Sequence, residues 1–369
     1  MSDQVLIISS HDDLHALSIV WAAQQLEGAM CRILAFHEAP SLASTSIHLG
    51  EAGQEITWND STSNDTIRLS AFDKIWLRKI AKNKIPDYLH PEDRPFARGS
   101  WSQFLDYISK SRLDPGVWIN DPHTAEYSDT KNNQLLHAAQ SGLKIPATLI
   151  GNDPQDIRTF FDQHANEGVI IKPLQPFEWK DGDDYLVPFT TTINREDLED
   201  DETLMSSPMI YQSCIQKQYE LRILVAGDNL EVGKLDTQSQ ERSVIDSRLG
   251  NDMATGFVTH YELPNHLKDR LLHFCRCMGL GTGVIDMARG LDGEYYFFEV
   301  NPSGQYLWLD ACSKDVCTLG AMVKYLFPNH HRQIENSDLS FARFVESGFH
   351  IDYAERLDGK IIPHFVNPN

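Results

Sequence analysis

Short apolar segments alternate with longer amphipathic ones over the first 125 residues of the chain. Segments of strand length lie at residues 5–9, 31–36, 74–78 and 117–120, and a helical pattern at residues 14–26 separates the first two. Strands that alternate with helices are typical of a mostly parallel sheet with helices packed against it. The pattern therefore predicts an α/β domain over residues 1–122. Within it, the Ser/Thr-rich stretch 41–70 is predicted to form loops and short strands.

A second unit is predicted over residues 123–210 and begins with a helix. Ser128 or Asp129 is suited to cap this helix, because short polar side chains accept hydrogen bonds from the free N–H groups at a helix start. The helix contains Lys131 and ends at Gly142, since glycine readily adopts the backbone conformation that terminates a helix. On a helix surface, Lys131 can equally be an ordinary solvated residue.

Further signals in this unit predict another helix and a buried strand. Asp153 stands directly before Pro154, so a capping carboxylate precedes a proline that suits the first helical position. Residues 168–173 read as a short buried strand with Lys172 near its end. A buried strand seldom ends in lysine without a function, which makes Lys172 a candidate binding residue. The acidic segment 181–184 is predicted to be a mobile loop.

A third unit is predicted over residues 211–328 and contains an antiparallel hairpin. Apolar and polar residues alternate from residue 219 to residue 226, which predicts a strand with Glu220 and Arg222 on one face. A Gly-Asp turn follows, and residues 230–235 return as the partner strand. The alternative for Glu220 and Arg222 is a cross-strand ion-pair face, which would contribute under about 1 kcal/mol if exposed.

The most informative pattern lies closer to the C-terminus, where two strand-like segments, 283–287 and 295–302, flank a turn signal. Such segments pair antiparallel. Residues two apart on a strand share a face, so Glu299 and Asn301 project together, and pairing can bring Asp286 to the same face. Two carboxylates and an amide oxygen suit Mg²⁺, which usually bridges to nucleotide phosphates. The alternative is an acidic hairpin face without a ligand.

Composition restricts the classes of function. With 369 residues, of which 41% are hydrophobic and 23% charged, the chain is long enough for two or three globular domains. Its formal net charge of −21 disfavours nonspecific binding to nucleic acid or to an anionic membrane, so neither is expected as a partner. The N-terminus reads as a core strand rather than a signal peptide, and no apolar run reaches the roughly 18 residues of a membrane span. We expect a cytoplasmic protein.

The six cysteines are too few for a disulfide framework at this length. Cys275 and Cys277, like Cys312 and Cys317, are spaced closely enough to suggest zinc ligands. However, Cys275 and Cys277 lie in a predicted helix, where residues two apart point in different directions. Buried reduced thiols are the better interpretation.

The order of these motifs along the chain resembles that of the ATP-grasp superfamily. A lysine follows a helix start, a second lysine ends a strand, and Glu-x-Arg, an aspartate and Glu-x-Asn come after them. Residues 219–227 and 298–305 are specifically similar to the microviridin-type peptide ligases, also called graspetide ligases. The likeness covers roughly residues 4–325 and includes the segments 76–78 and 130–135.

The resemblance implies an ATP-grasp fold of the α/β (α+β) class. An N-terminal Rossmann-like α/β domain (residues 1–122), a central domain with a lid (123–210) and a C-terminal nucleotide- and Mg²⁺-binding domain (211–328) would enclose ATP and Mg²⁺. A C-terminal extension would occupy residues 329–369. The segment after Lys172 lacks the glycine-rich phosphate cover of many superfamily members.

The resemblance also implies a role for each candidate residue. The lysines and the arginine would contact nucleotide phosphates, the hinge 212–215 would offer backbone groups to adenine, and the strand glutamate would bind the ribose. The implied nucleotide-binding residues are Lys131, Lys172, Gln212, Ser213, Cys214, Ile215, Glu220, Arg222 and Asn301. The implied Mg²⁺ ligands are Asp286, Glu299 and Asn301. The family usually has glutamate where Ser213 stands.

The implied chemistry activates a carboxylate, which is by itself a poor acyl donor. Transfer of the γ-phosphoryl group of ATP makes an acyl phosphate, and a hydroxyl or an amine then displaces phosphate. Because this transfer needs chiefly positioning and charge neutralisation, Lys172 and Arg222 are candidate catalytic residues. Arg248 lies in a polar loop and could contact phosphate or a substrate carboxylate, or be solvated. Asp236 is a candidate proton acceptor, with surface charge pairing as the alternative.

The substrate that the resemblance implies is a ribosomal precursor peptide with a leader and a core. Its Asp or Glu side chains would be closed onto Ser/Thr hydroxyls or Lys amines, giving esters or amides. Two alternatives stay open: a ligase that adds an amino acid to a protein tail or small molecule, and a noncatalytic peptide- or nucleotide-binding protein. Lys172 together with the three metal ligands argues against the last. A homodimer also stays open, because the sequence does not determine the oligomeric state.

The C-terminal extension contains a short string, residues 340–346, that resembles the helical leader motif by which microviridin precursors dock on their ligases. It would then be a built-in leader mimic. A similar string at residues 95–98 indicates that so short a motif arises easily by chance. The favoured interpretation is a C-terminal amphipathic helix that closes the core.

Overall fold

The computed structural model describes residues 3–51, 53–60, 65–79, 82–110, 118–175, 179–181, 184–186, 190–237, 257–335 and 338–356. The elements of the N-terminal region are, in chain order, β1 (Gln4–Ile8), α1 (Leu14–Gln24), β2 (Met30–Leu34), α2 (Ala39–Leu42), β3 (Ala43–Gly50), β4 (Gly53–Asp60), β5 (Asp65–Arg68), β6 (Lys74–Leu77), α3 (Arg94–Ser109), β7 (Trp118–Ile119) and α4 (Pro122–Ser128).

The first sheet is parallel, with the strand order β2-β1-β6-β7. Its central strand is buried on both faces: Ile7 lies in an apolar cluster with residues of α1, and Ile8 lies in another with residues of β4. Strands covered on both faces read as continuous apolar runs, and the predicted parallel α/β layer is confirmed. The carboxyl ends of these strands meet at one edge, where the residues that follow them come together.

The Ser/Thr-rich stretch, predicted as loops and short strands, is instead a regular antiparallel sheet of order β3-β4-β5. In β4, Ile56 and Trp58 are buried, and the Trp58 ring stacks on Phe36 with the ring centres 5.5 Å apart. A polar residue stands between the two apolar ones, as expected of a strand that buries one face. The polar composition of the stretch concealed this period of two.

The central region follows in the order α5 (Lys131–Gln140), β8 (Thr148–Gly151), α6 (Pro154–Gln163), β9 (Val169–Lys172), β10 (Trp179–Asp181), β11 (Asp184–Leu186), β12 (Thr191–Ile193), α7 (Asp201–Ser206) and β13 (Met209–Ser213). One sheet has the order β12-β9-β13-β8, and β10 pairs with β11 in a separate hairpin. The predicted cap of α6 is confirmed, because Asp153 accepts hydrogen bonds from the backbone N–H groups of Gln155 and Asp156.

Two predictions about the central region need correction. Helix α5 has Thr130 at its N-cap position, whereas Ser128 is the last residue of α4, so neither predicted residue caps α5. Thr130 makes no side-chain capping hydrogen bond. The predicted mobile loop is partly a hairpin, since Asp181 and Asp184 are paired residues of β10 and β11. Residues 182–183 of that loop lie outside the described residues.

The next region contains β14 (Lys217–Ala226), β15 (Asn229–Leu235), β16 (Val258–His260), α8 (Asn265–Cys277), β17 (Thr282–Gly290) and β18 (Tyr295–Asn301). These strands form an antiparallel sheet of order β16-β15-β14-β17-β18, and both predicted hairpins are confirmed. Leu221 and Ile223 face an apolar cluster that includes residues of α8. By alternation, Glu220 and Arg222 belong to the opposite face.

The chain continues with α9 (Leu307–Cys312), α10 (Thr318–Leu326), α11 (His331–Glu335), α12 (Phe341–Glu346) and α13 (Phe349–Arg356). Phe344 of α12 is fully buried, and its ring centre lies 5.8 Å from that of Trp21 in α1. Phe341 and Phe349 belong to the same apolar cluster. The favoured interpretation of the extension, an amphipathic helix that closes the core, is confirmed by this packing.

Predictions about a domain boundary, the cysteines and membrane-spanning segments can also be compared with the structure. Strand β13 crosses the domain boundary that the sequence placed between residues 210 and 211, and we propose a boundary after Ser213 instead. Cys275 is buried, but Cys277 and Cys317 are exposed, so the interpretation as buried thiols is wrong for the latter two. Within the described residues, every helix is too short or too polar to cross a membrane.

Candidate functional site

The predicted metal ligands lie on one face of the antiparallel sheet. Strands β17 and β18 pair with Asp286 opposite Glu299 and with Val284 opposite Asn301. Because side chains alternate along a strand, the two carboxylates and the amide share a face. From the sequence, Asp286 could lie on this face but did not have to. The observed register confirms that it does.

Arg222 on β14 is paired with Asp286 across the sheet. Its Nη1 lies 2.6 Å from both carboxylate oxygens of Asp286, and its Nη2 donates to the carbonyl oxygen of Gln305 at 3.0 Å. Burial raises the pKa of Asp286 above its ordinary value, although the charge of Arg222 opposes this shift. Arg222 therefore neutralises a poorly hydrated carboxylate and also contacts the segment that follows β18.

Lys131, the first residue of α5, forms an ion pair with Glu299. Burial alone would raise the pKa of Glu299, but the charges of Lys131, Lys172 and Arg222 hold it below its ordinary value. The glutamate is thus kept ionised by cations from α5, β9 and β14. The interpretation of Lys131 as an isolated solvated residue is wrong.

Gln134 is a site residue that the sequence did not identify. It lies one turn after Lys131 in α5 and is 1% exposed. Its Nε2 donates to the carbonyl oxygens of Ser128 at 2.7 Å and Val300 at 2.8 Å, and its Oε1 accepts from the Val300 N–H at 3.0 Å. In the described sheet β18 is an edge strand, so Gln134 satisfies backbone groups that no neighbouring strand reaches. The signal was its spacing of three residues from Lys131, which puts both on one helix face.

Lys172, at the end of β9, lies near Glu299 on the side of the central sheet. Its Nζ donates to Oε1 of Gln212 at 2.9 Å and lies 5.6 Å from the centre of the Phe298 ring. Its charge also lowers the pKa of Glu299. Gln212 donates in turn to Oγ1 of Thr148 at 3.0 Å, which fixes the amide that holds the lysine. The structure thus brings Lys172 close to Glu299, one of the predicted metal ligands.

Part of the predicted hinge, residues 212–215, is buried and hydrogen-bonded within the central sheet. Gln212 and Ser213 are buried in β13. The backbone N–H of Ser213 donates to Ala147 at 3.0 Å, and that of Cys214 donates to Gly168 at 2.9 Å. These two N–H groups are therefore used within the fold, and the contact of the other backbone groups of the hinge with adenine stays a prediction. The role of Ile215, which follows them, stays a prediction.

Glu220 lies on the face of β14 that carries Arg222, two residues away. Its partner is Lys217 of the same strand, and both side chains are largely buried, at 13% and 9% exposed. The alternative of a cross-strand ion-pair face holds for Arg222, which pairs with Asp286 on the neighbouring strand, but not for Glu220, whose partner lies on its own strand. Lys217 was not identified from the sequence. The implied contact of Glu220 with a ribose stays a prediction.

The two remaining candidates are not brought to the carboxylates by any described contact. Asp236 is exposed just beyond the end of β15, and its backbone N–H donates to Phe257 at 3.0 Å. Its role as a proton acceptor stays a prediction. Arg248 lies outside the described residues, so its role stays a prediction as well.

Residues from the edge of the parallel sheet hold the segment that follows β18, and the sequence did not assign them to the site. Arg78, which follows β6 and is 3% exposed, donates from Nη1 to the carbonyl oxygen of Ser303. His15 Nε2 accepts from the backbone N–H groups of Tyr306 at 3.1 Å and Leu307 at 3.4 Å. The N-terminal region therefore contacts the segment that follows the predicted metal ligands directly.

Asn120 ties the same edge to the start of β17. Its Oδ1 accepts from the N–H groups of Gly281 at 2.8 Å and Thr282 at 2.9 Å, and its Nδ2 donates to the Thr282 carbonyl oxygen at 2.8 Å. Asn120 is 4% exposed. Buried side-chain amides that satisfy backbone groups in this way fix the position of the strand.

The donor set fits a divalent cation that is bridged to an anionic polyphosphate. Asp286, Glu299 and Asn301 supply hard oxygen ligands, and two lysines and an arginine surround them. Nε of Arg222 is buried and has no hydrogen-bond partner among the described residues, so it is a donor that a phosphate oxygen would satisfy. Among all the residues that the structure describes, no group of three or more His, Cys, Asp or Glu side chains is arranged to hold a metal.

No model of a known protein family matches the chain, and no curated protein sequence does. Solved structures do match. A RiPP-associated ATP-grasp ligase from Chryseobacterium gregarium, in complex with ADP and a leader and core peptide, has a TM-score of 0.80 and 24% identity. The match covers 88% of this chain and 96% of that chain.

Two further structures support the same conclusion about the fold. The macrocyclase MdnC from Microcystis aeruginosa MRC, bound with precursor peptide MdnA, has a TM-score of 0.75 and 24% identity over 88% of this chain and 99% of that chain. The ATP-grasp ligase PsnB, complexed with a phosphomimetic variant of a minimal precursor, Mg and ADP, has a TM-score of 0.67 and 21% identity over 88% and 97%. The chain therefore has the ATP-grasp fold that its motifs predicted.

Proposed function

We propose that this protein is an ATP-dependent, ADP-forming peptide ligase that closes Asp or Glu side chains of a ribosomal precursor peptide onto Ser/Thr hydroxyls or Lys amines. The observation that carries the proposal is the convergence of cations on paired carboxylates: Lys131 on Glu299, and Arg222 on Asp286. These contacts occur within the ATP-grasp fold, and they join residues from three strands of one sheet and from the start of a helix. A structural ion pair alone would not require three strands and a helix start to meet at one face.

The proposed cofactors are ATP and Mg²⁺, with Asp286, Glu299 and Asn301 as the metal ligands. When bound, MgATP supplies the phosphoryl group that turns a carboxylate into an acyl phosphate. Asp286 and Glu299 now neutralise Arg222 and Lys131, respectively. With these carboxylates holding a divalent cation, both basic side chains would be available for phosphate oxygens.

The remaining residues take the roles that the resemblance to ATP-grasp ligases implies. Lys172 and Arg222 would stabilise charge on the transferred group, because both approach the carboxylate face from different strands. Glu220 would bind the ribose, Arg248 would contact phosphate or the substrate carboxylate, and Asp236 would accept the proton of the attacking group.

The proposed substrate is a precursor peptide with a leader and a core. The support is that structurally similar proteins are described in complex with such peptides: the Chryseobacterium ligase with a leader and core peptide, and MdnC with MdnA. A ligase with a small-molecule name, the D-cycloserine synthetase DcsG, matches with a lower TM-score of 0.53 and 13% identity. The balance therefore favours a peptide.

The test is to incubate the protein with MgATP and an acidic, Ser/Thr/Lys-containing peptide encoded beside its gene, and to record intact masses. We expect the peptide to lose one water mass per ring, with release of ADP and only in the presence of ATP. A gain of one amino-acid mass would establish the adding ligase instead. ADP binding without any change in a panel of neighbouring peptides would favour the noncatalytic alternative.

The matched control uses two glutamates of one hairpin. Glu299→Gln removes a proposed metal ligand, whereas Glu294→Gln changes an exposed residue in the turn. Loss of the mass change in the first variant and its retention in the second would support the assignment. Equal activity of both variants would contradict it.

A further inference from the structure

The segment 303–307 connects the metal-binding strand β18 to helix α9. Its first residues fold back on the metal ligands: the N–H of Ser303 donates to Oδ1 of Asn301 at 3.0 Å, and that of Gly304 donates to the Asn301 carbonyl oxygen at 3.1 Å. A side chain at Gly304 would bring its Cβ within 2.6 Å of Cβ of Val284, so the segment lies directly on β17. Any shift of this segment would therefore change the position of Asn301.

His15, in the first turn of α1, holds the other end of this segment. Its Nε2 accepts from the N–H groups of Tyr306 and Leu307, at the start of α9. Its ring also meets the Tyr306 ring edge-on, with the ring centres 4.6 Å apart. A helix start leaves backbone N–H groups without partners inside the helix, so the imidazole serves here as a cap.

The proton on the His15 ring is placed by its neighbours. Nδ1 lies 3.3 Å from Oδ1 of Asp13, which accepts its proton, so Nε2 keeps the lone pair that the two backbone N–H groups need. The other charged or titratable groups that face the ring are Arg78, Lys79 and Tyr306. Burial and the positive charge of Arg78 lower the pKa of His15 to about 4, which keeps the ring neutral near pH 7.

The contacts of the segment run on to the proposed catalytic groups. The Gln305 carbonyl oxygen accepts from Arg222, and the Ser303 carbonyl oxygen accepts from Arg78. We propose that His15 is a positioning residue: by capping Tyr306 and Leu307, it holds the segment 303–307 so that Asn301 and Arg222 keep their places at the metal site. The proposal rests on the proposed function for its metal, but its structural part is independent of it.

The test compares two variants of His15 in the full-length protein. His15→Gln places an amide oxygen near the position of Nε2 and so retains an acceptor, whereas His15→Phe fills the space without one. Hydrogen exchange followed by mass spectrometry reports on the segment 303–309, and titration with Mg²⁺ at fixed ADP reports on the metal site. We expect faster exchange in His15→Phe, and an about tenfold higher Mg²⁺ concentration for half-maximal ADP binding. His15→Gln is expected to restore both values.

The control is His330→Phe, at the opposite edge of the parallel sheet. His330 is 5% exposed, against 8% for His15, and contacts Asp3 just before β1. This variant should lose stability without a change in the Mg²⁺ dependence.

Three outcomes would count against the inference. If exchange in the segment 303–309 is the same in His15→Phe and in the unchanged protein, the cap is wrong. If exchange rises but the Mg²⁺ dependence stays the same, the link to the metal site is wrong. If the unchanged protein binds no ADP with Mg²⁺ although exchange responds as expected, the proposed function falls and the cap stands.

Discussion

Gln134 and Val300 exchange two hydrogen bonds between a helix and the strand that carries the proposed metal ligands. The side-chain amide donates to the Val300 carbonyl oxygen at 2.8 Å and accepts from the Val300 N–H at 3.0 Å. Val300 stands between Glu299 and Asn301 in the chain. These contacts therefore hold the backbone at the point where the two proposed ligands are attached.

Replacement of Gln134 by leucine should therefore affect both stability and metal binding. It leaves buried backbone groups of Val300 without partners, at a cost of about 1–3 kcal/mol for each unsatisfied group. We expect a lower free energy of unfolding in urea and a higher Mg²⁺ requirement for ADP binding. Gln140→Leu, at an exposed position of the same helix, is the control. Unchanged stability in Gln134→Leu would show that the amide is not needed at the edge of the sheet.

Glu299→Gln should remove turnover while the fold is kept. The amide cannot balance the cation charge as a carboxylate does, and loss of such a ligand is expected to weaken metal binding by about a hundredfold or more. Peptide turnover and Mg²⁺ titration measure the effect, and circular dichroism checks the fold. Activity within a few-fold of the unchanged protein would rule out the metal assignment.

Arg222→Lys should not substitute for arginine, although the charge is kept. Arg222 contacts Asp286 with one terminal nitrogen and Gln305 with the other, and a lysine ammonium lacks this planar fork. Loss of one charged hydrogen bond is worth about 1.5–3 kcal/mol, a factor of roughly 10–100 in kcat/KM. Steady-state kinetics of peptide cyclisation measures it. Arg289→Lys, an arginine over the Tyr295 ring, is the control, and equal losses in both would refute a specific role.

Acid should destabilise the protein in a pH window set by His15. Its pKa is about 4 in the folded protein against an ordinary value of 6.5, so the unfolded chain binds more protons between these values. The contribution of His15 is therefore fully present above about pH 6.5 and is lost as the pH falls towards 4, by up to about 1.4 kcal/mol per pH unit. The lowered pKa of Asp13 extends the loss to lower pH.

The measurement is the free energy of unfolding in urea at several pH values between 7 and 4. Asn or Gln at position 15 carries no titratable proton, so His15→Gln should flatten the slope in this window. An identical slope in the variant and the unchanged protein would mean that other groups cause the acid sensitivity.

Phe344→Ala should destabilise the chain strongly, because the ring is fully buried among α1 and the C-terminal helices. Such a truncation in a core costs about 3–5 kcal/mol. Ile351→Ala, in α13 and 54% exposed, should cost far less. Thermal unfolding of both variants makes the comparison. Similar Tm values would contradict a structural role for the extension and would revive the interpretation as a leader mimic.

The sequence was sufficient for those parts of the fold that depend on local pattern. Alternation predicted the strands of the parallel layer and both hairpins, and Asp153-Pro154 marked the start of α6. It was insufficient where composition hides periodicity, as in β3–β5, and where the capping position shifts by one or two residues, as at Thr130. Contacts within a few residues of each other are encoded in the local residue pattern. These predictions failed where that pattern is weak.

The candidate site likewise contains residues that the sequence could identify and residues that it could not. Asp286, Glu299 and Asn301 could be named from the sequence because their strands have a period of two and pair across a short turn. Lys172 could be named because it ends a buried strand. Their partners could not. The segment 303–307 meets Arg78 and His15 across separations of 225 and 291 residues or more, respectively.

The sequence by itself thus determined most of the strands and helices, both hairpins and the acidic residues proposed as metal ligands. Only the tertiary structure decided which cations neutralise those ligands and which buried amides and imidazole hold the surrounding backbone. The physical reason is that a hydrogen bond between distant segments depends on how sheets and helices pack, and neither periodicity nor composition encodes that packing locally.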